Sequence, residues 1–329
     1  MIVCTCEDRA GDMAGMKLLL VSLARACPDL QVLVFCPGPL QSRLSVPVPL
    51  PSVTIRECPD LGATGWSVKP WLLLKLLDEG HSEVVWLDSD IIAVSDFRAD
   101  LRAAPAAAFV VSGDPQWVAR QRDANRASSW GFQVGRKLMS PVNSCVIRVT
   151  PAHRPILEHW KKLLSTQQYL DAQAKPFAQR PPHLAGDQDA LDALLTSDLY
   201  TSLDVHFLRP GLEIAQCHLA DGYAVRDRLR HLWHSLPPLV HSQGLKPWRT
   251  GRRRKVYQDV SPYLLAALRY RDELGEDTSW MNASSAGGKV LRSLTGGDPN
   301  LAGFLPALSM EAQRALRIRS RLRRWLGRS

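Results

Sequence analysis

The sequence predicts an α/β fold with a mostly parallel central sheet flanked by helices. Three observations predict it. Short apolar runs alternate with helix-length amphipathic stretches through the first 115 residues, the rhythm of βαβ units. Val32-Leu33-Val34-Phe35 and Val84-Val85-Trp86-Leu87 are apolar throughout, as in strands buried on both faces. The second run ends on Asp88-Ser89-Asp90, at the carboxyl strand end where open α/β sheets take ligands.

Taken in order, strands are expected over 1–5 and 31–36, with a helix over 13–26 between them. A short strand over 52–56 follows a Pro-rich loop. A helix over 67–78 carries the stripe Leu72, Leu73, Leu76 and Leu77. Strand 84–87 leads into the acidic turn, 91–94 leads out of it, and 107–111 is a further strand. The polar stretch 113–139 has little periodicity and reads as a long loop, functional or disordered. A strand over 142–149, a helix over 156–164 beginning near Pro151, an irregular stretch over 167–185 and a helix over 187–195 follow. Short strands over 204–208 and 239–241 complete the main domain, assigned to 1–250. Residues 251–329 read as a basic helical extension: a helix over 262–272, a Gly/Ser-rich linker over 276–303, and a helix over 309–328.

Composition narrows the class. Of 329 residues, 45% are hydrophobic and 22% charged, as in ordinary globular proteins. The N-terminus lacks the basic region and apolar core of a signal peptide. No stretch approaches the ~20 apolar residues of a membrane span. The seven cysteines are odd in number and fit no zinc spacing. Most lie in apolar runs, so free buried thiols in a reducing, cytoplasmic compartment are expected. The net charge of +9 is concentrated at one end: residues 250–329 hold 15 Lys/Arg against 7 Asp/Glu. An anionic partner is therefore expected for the tail and not for the main domain.

The chemistry starts from Asp88 and Asp90. Bare carboxylates do not stay unpaired in a core, so the pair belongs in a crevice, where it suggests a divalent cation carrying a phosphorylated ligand. A solvated turn is the commoner explanation of an isolated Asp-x-Asp, so its partners decide. Lys69 opens a helix at the same sheet edge and is placed to meet a phosphate or nucleotide; a solvated lysine is the alternative. Asn143-Ser144 enters an apolar strand with two polar side chains, as a ligand contact or a strand-end turn. Gly186-Asp187-Gln188-Asp189 opens a helix. Capping explains acids there, but does not require Gln188. His241 follows Leu239-Val240 at another strand end and precedes Gly244, Lys246, Pro247 and Trp248. A structural histidine is the alternative to a ligand. An Asp, Asp, His donor set on phosphate oxygens suits manganese better than magnesium, although magnesium also takes carboxylates. Gly244 lets the backbone approach closely, and Lys246 then brings an ammonium to a diphosphate.

In this order the motifs resemble the family 8 glycosyltransferases, the group of glycogenin and the bacterial lipooligosaccharide galactosyltransferases. The resemblance rests on Asp88-Ser89-Asp90, Asn143-Ser144, Asp187-Gln188-Asp189, and His241 with Gly244, Lys246, Pro247 and Trp248. It covers residues 1–250. Two positions depart from the family pattern: one residue fewer separates Gly244 from Lys246, and Cys145 stands where the family has Gly.

The resemblance implies the GT-A nucleotide-diphosphosugar transferase fold. It implies Asp88, Asp90 and His241 as metal ligands, with Ser89 between the acids, and Lys246 on the diphosphate. It places Asp187 on sugar hydroxyls, Gln188 near the anomeric carbon, and the nucleotide base at the first strand end, around Thr5. The activity it implies is transfer of a hexose from a UDP-linked donor to a glycan or lipid-linked acceptor, with retention of configuration. Two other classes compete: a non-catalytic sugar-nucleotide or glycan-binding protein, and a sugar nucleotidyltransferase. The latter usually carries a Gly-rich, Lys/Arg-bearing loop after the first strand, whereas 7–15 holds only Gly11, Gly15 and one Arg. In the tail, Ile318, Leu322, Trp325 and Leu326 alternate with many arginines. That pattern suits a helix lying on an anionic membrane surface, on the inner face of the cell membrane, ahead of docking on the main domain or binding nucleic acid.

Overall fold

The computed structural model describes residues 1–302, 304 and 308, apart from 51, 59, 61, 115–125, 218–224, 231–235, 245, 250–253, 276, 277, 299 and 300. Its strands are β1 (Ile2–Cys6), β2 (Val32–Cys36), β3 (Val53–Glu57), β4 (Val84–Leu87), β5 (Ile91–Ala93), β6 (Phe109–Gly113), β7 (Val142–Val149), β8 (Val205–Leu208), β9 (Ile214–Gln216) and β10 (Leu239–His241). Seven of them form one sheet in the order β3-β2-β1-β4-β7-β6-β8, and β5-β10-β9 form a second, small sheet. β1, β2, β3 and β4 pair in parallel. β7 runs antiparallel to both β4 and β6, and β8 is parallel to β6. The expected mostly parallel, helix-flanked sheet is present.

The period-2 alternation of each strand builds two apolar layers. Ile2, Cys4, Leu33, Phe35, Val84 and Trp86 face one layer, filled by Leu72, Leu73, Leu76 and Leu77 of the helix Lys69–Asp78 and by Trp160. Val3, Val32, Val34, Val85 and Leu87 face the other, covered by Met16, Leu19, Leu20 and Leu23 of the helix Met13–Ala26.

Several elements differ from expectation for identifiable reasons. A 3-10 turn, Gly65–Val68, takes the expected first turn of the third-strand crossover, and the α-helix starts at Lys69 with Pro70 in its first turn. β6 extends to Gly113 because a register irregularity between Val111 and Ser112 lets the pairing continue. The stretch 167–185 is not irregular throughout: Thr166 caps the helix Gln167–Gln173 by accepting from the Tyr169 amide. The Pro-initiated turns Phe177–Gln179 and Pro182–Leu184 follow. Within the expected long loop, Arg126–Ser129 is helical.

The expected linker 276–303 contains the turn Ser279–Met281 and the helix Ala286–Leu294. The two glycines of this helix serve close packing: a Cβ on Gly287 would lie 2.9 Å from Val256, and one on Gly288 2.6 Å from Asp259. The helix Pro262–Ala267 continues as the 3-10 turn Leu268–Glu273. Its Tyr263 and Leu264 share an apolar cluster with Leu18, Ile92, Val240 and Trp248. The basic helix expected over 309–328 lies outside the described residues. Among the described residues no helix is long and apolar enough to cross a membrane.

Candidate active site

Strand registers bring the acids and the histidine together. β4 ends at Leu87, so Asp88 emerges at its carboxyl end, where its amide donates to the Cys145 carbonyl of β7 at 2.9 Å. β5 and β10 pair antiparallel with His241 opposite Ile91, and the Ser242 amide donates to the Asp90 carbonyl at 3.0 Å. His241 therefore stands beside Asp90, with Nε2 3.4 Å from its Oδ2. One donor atom each from Asp88, Asp90 and His241 lie within 4.8 Å of one another.

The small sheet also orients the imidazole. β9 sets Gln216 level with His241, and Gln216 Oε1 lies 2.5 Å from His241 Nδ1. Since the amide oxygen only accepts, Nδ1 carries the proton and Nε2 faces the acids, the arrangement in which histidines bind metals. No signal in Ile214-Ala215-Gln216 announced this residue, because three residues are too short for a pattern.

Asp88, Asp90 and His241 line a cavity of about 380 Å³. Lys69, Ser89, Asn143, Asp187, Gln188, Gly244 and Lys246 line it too. Thr5 does not. Side chains alternate along β1, so Thr5 points with Val3 toward the other layer while Cys6 reaches the cavity. Thr5 is fully buried, and its Oγ1 has no hydrogen-bond partner. Arg9, Trp66, Asp114 and Phe177 also line the cavity and were not singled out in the sequence. Asp114 directly follows β6, a strand end like that of Asp88, and this was the one available signal.

Each predicted side chain has a definite place. Lys69 is buried, with Nζ 3.0 Å from Asp88 and 3.3 Å from Asp187. The same Nζ donates to Ser144 Oγ at 2.7 Å and to its carbonyl at 3.1 Å. Within the protein it ties the two acids to β7. Burial disfavours its charge, but Asp187 and Asp88 overcome that and hold the ammonium above the usual lysine range. Asp187 also accepts from Ser144 Oγ at 2.7 Å. Its burial pushes the carboxyl up, and Lys69 and Ser144 only partly offset this. Asn143 Oδ1 accepts from the Cys145 amide at 3.0 Å, and Ser89 donates to Glu7 at 2.5 Å. Gly244 has φ +70°, the left-handed region that favours glycine.

The two ends of the acidic helix turn separate by role. Asp189 caps: it accepts from the Gly186 amide at 2.9 Å and from Arg126 Nε at 2.8 Å. Burial outweighs Arg126 and lifts its carboxyl to about 7. Gln188 Nε2 donates to Asp114 Oδ2 at 3.0 Å. That bond fixes the amide and leaves Oε1, its electron-rich end, without a hydrogen-bond partner among the described residues.

Lys246 Nζ sits against Asp90 Oδ2. Burial opposes ionisation of Asp90, yet Lys246 and His241 hold its carboxyl far below the usual range. For His241, burial favours the neutral ring, but Cys145 and Asp90 outweigh it and raise its value to about 10. The cations around Asp90 thus occupy the place where a divalent ion would neutralise the same carboxylates.

No family model matches the chain, and no curated protein matches it. Solved structures do. The galactosyltransferase LgtC, in complex with donor and acceptor sugar analogues, superposes with a TM-score of 0.54 at 13% identity, over 85% of this chain and 99% of that one. The chain has the GT-A fold. An active-site mutant of LgtC gives 0.51 at 13% identity, over 88% of this chain and 100% of that one. The bifunctional glycosyltransferase WbbM, in its apo form, gives 0.51 at 15% identity, over 76% of this chain. The chain spans about half of WbbM, covering 47% of it.

Proposed function

We propose that the chain is a metal-dependent, retaining glycosyltransferase that moves a hexose from a UDP-linked donor to a glycan or lipid-linked acceptor. The observation that carries this reading is the meeting of Asp88, Asp90 and His241 in one cavity with Lys246, Asp187 and Gln188. The donor set fits a divalent cation: two carboxylates and an imidazole whose far nitrogen is already held by Gln216. Manganese suits this mixed oxygen and nitrogen set best, with magnesium second. The LgtC structures support the reading. One holds donor and acceptor sugar analogues, and the active-site mutant of that enzyme exchanges a glutamine for glutamate. Gln188 is the candidate counterpart.

The cation, when bound, supplies positive charge to the leaving diphosphate. Lys246 adds an ammonium at the same place. Asp187, braced by Lys69 and Ser144, holds donor sugar hydroxyls. The bond from the anomeric carbon to the diphosphate breaks as the acceptor hydroxyl oxygen bonds to the same face. The hydroxyl proton passes to the departing phosphate oxygen. Gln188 Oε1 faces the oxocarbenium-like carbon with a partial negative charge, in place of a covalent carboxylate nucleophile. The catalytic unit is assigned to 1–250, with 251–329 as an extension whose basic segment 309–328 rests on an anionic membrane. Liposome flotation with and without the residues past 303 tests the membrane role, and equal flotation refutes it.

A panel of UDP- and GDP-hexoses with manganese tests the activity by donor hydrolysis. The expected result is hydrolysis of a UDP-hexose, abolished by a chelator and by Asp90→Ala. Full activity in that variant, undiminished by chelator, overturns the reading.

A further inference from the structure

Beside the proposed active site lies a second cavity of about 410 Å³, and the two share Arg9, Gly65 and Trp66. At their junction two large aromatic side chains stand open: Trp66 is 39% exposed and Phe177 53%. Exposed aromatics on a cavity rim mark a surface that a ligand covers. Between them the guanidinium of Arg180 lies 5.5 Å from the Trp66 ring and 5.8 Å from the Phe177 ring. The three side chains form a stacked platform.

Arg180 is held rigidly. Its Nε donates to the Lys175 carbonyl at 3.0 Å, and NH1 donates to Gln173 Oε1 at 2.5 Å and to the Ala185 carbonyl at 3.1 Å. NH2 donates to the Gln173 carbonyl at 3.1 Å. Ala185 directly precedes Gly186-Asp187-Gln188, so the platform is fixed to the chain that carries the proposed catalytic groups. Every one of these acceptors is uncharged, and no carboxylate among the described residues pairs with Arg180. One of its five N–H groups is left over. No acidic residue is among those lining the second cavity. A fixed cation with a spare donor, on an aromatic shelf, suits a sugar ring that carries an anion.

We propose that Trp66, Phe177 and Arg180 form the acceptor platform, and that the acceptor is an anionic glycan bearing a carboxylate or phosphate. This inference rests on the transferase reading. The apolar face of a pyranose covers the two rings, and the anionic substituent meets the free N–H of Arg180. The acceptor hydroxyl then enters the first cavity beside Gln188.

The test is donor-free binding to the full chain, by calorimetry, of methyl β-glucoside, methyl β-glucuronide and glucose 1-phosphate. The expected result is binding about tenfold tighter for at least one anionic probe than for the glucoside, the scale of one charge-assisted hydrogen bond. Tighter glucuronide identifies a carboxylate acceptor, and tighter glucose 1-phosphate that is lost in Arg180→Gln a phosphate acceptor. A glucose 1-phosphate preference that survives Arg180→Gln belongs to the donor site and overturns the phosphate assignment. Phe177→Ala, an exposed position where folding is safe, should weaken all three probes. Arg180→Gln should remove the preference for the anions. Equal affinity for all three probes in the wild type, or no weakening in Phe177→Ala, overturns the platform. Wild-type donor hydrolysis with UDP-hexoses, run in parallel, separates the two failures. If hydrolysis is intact and the probes are not distinguished, the platform fails and the transferase stands. If the probes bind as expected but no donor is hydrolysed, the transferase fails and the acceptor role falls with it.

Discussion

Lys69 holds Asp88 and Asp187 at once; Lys69 and Asp187 are buried, while Asp88 is a quarter exposed toward the cavity. Removing the lysine leaves the buried Asp187 carboxyl beside Asp88 with no cation between them. Lys69→Met is therefore expected to cost about 3–5 kcal/mol, read as a lower urea midpoint with an unchanged slope. Gln188 carries no comparable structural load, since its side chain makes one bond, to Asp114. Gln188→Ala is expected to leave folding and donor KM nearly unchanged while lowering kcat by about a hundredfold. Unchanged kcat removes it from the chemistry. His241 gives a pH signature. Its folded value of about 10 lies above its ordinary 6.5, so the charged ring contributes stability that is complete below 6.5 and lost as pH rises through about 10. A divalent cation must displace that proton, so manganese affinity should rise with pH across the same window, by up to about tenfold per pH unit. Affinity independent of pH there removes His241 from the ligand set. At this scale the acids, Gln188 and His241 were legible because each sits at a strand or helix end in a telling sequence. Gln216 and Asp114 were not, because their roles come from cross-strand register and from a side chain far along the sequence. Arg180 was not, because its partners are backbone and amide oxygens five to seven residues away in a stretch without periodicity.

Among elements, the long apolar strands and the leucine-striped helices were legible from period and composition alone. β9 was not, because three residues carry no period, and its place is set by pairing with β10. The expected linker was misread because glycine signals both freedom and close approach. Here Gly288 lies where a Cβ would meet Asp259 at 2.6 Å. Asp259 is fully used, accepting from Arg254 at 2.9 Å, Ser284 at 3.0 Å and Ser285 at 2.6 Å. Gly288→Val is expected to destabilise by about 1–3 kcal/mol through overpacking. A calorimetric Tm equal to that of the wild type refutes the packing role of this helix.

For the whole molecule, the mostly parallel, helix-flanked sheet and the site at a carboxyl strand end follow from a few apolar runs, whereas the strand order β3-β2-β1-β4-β7-β6-β8 does not. The relation of the extension to the rest did not follow, because Tyr263, Leu264 and Leu274 give no sign in sequence of where they dock. They cover Leu18, Val21, Ile92 and Val240, and Trp248 meets the tilted ring of Tyr263 and the edge-on ring of Trp280, with centroids 6.1 and 5.8 Å apart. The extension thus backs the strand pair that presents His241. A chain cut after 250 is expected to expose this cluster and to aggregate or melt well below the full chain. Among the described residues that cluster draws on none past Met281, so a cut near 303 is expected to melt as the full chain does. The most direct test of the metal-held diphosphate is calorimetric titration of UDP into the full chain with manganese, repeated with chelator and with Asp90→Asn. The proposed metal-held donor predicts UDP binding that requires manganese and is lost in the variant. UDP binding of equal strength with chelator, or in Asp90→Asn, contradicts it.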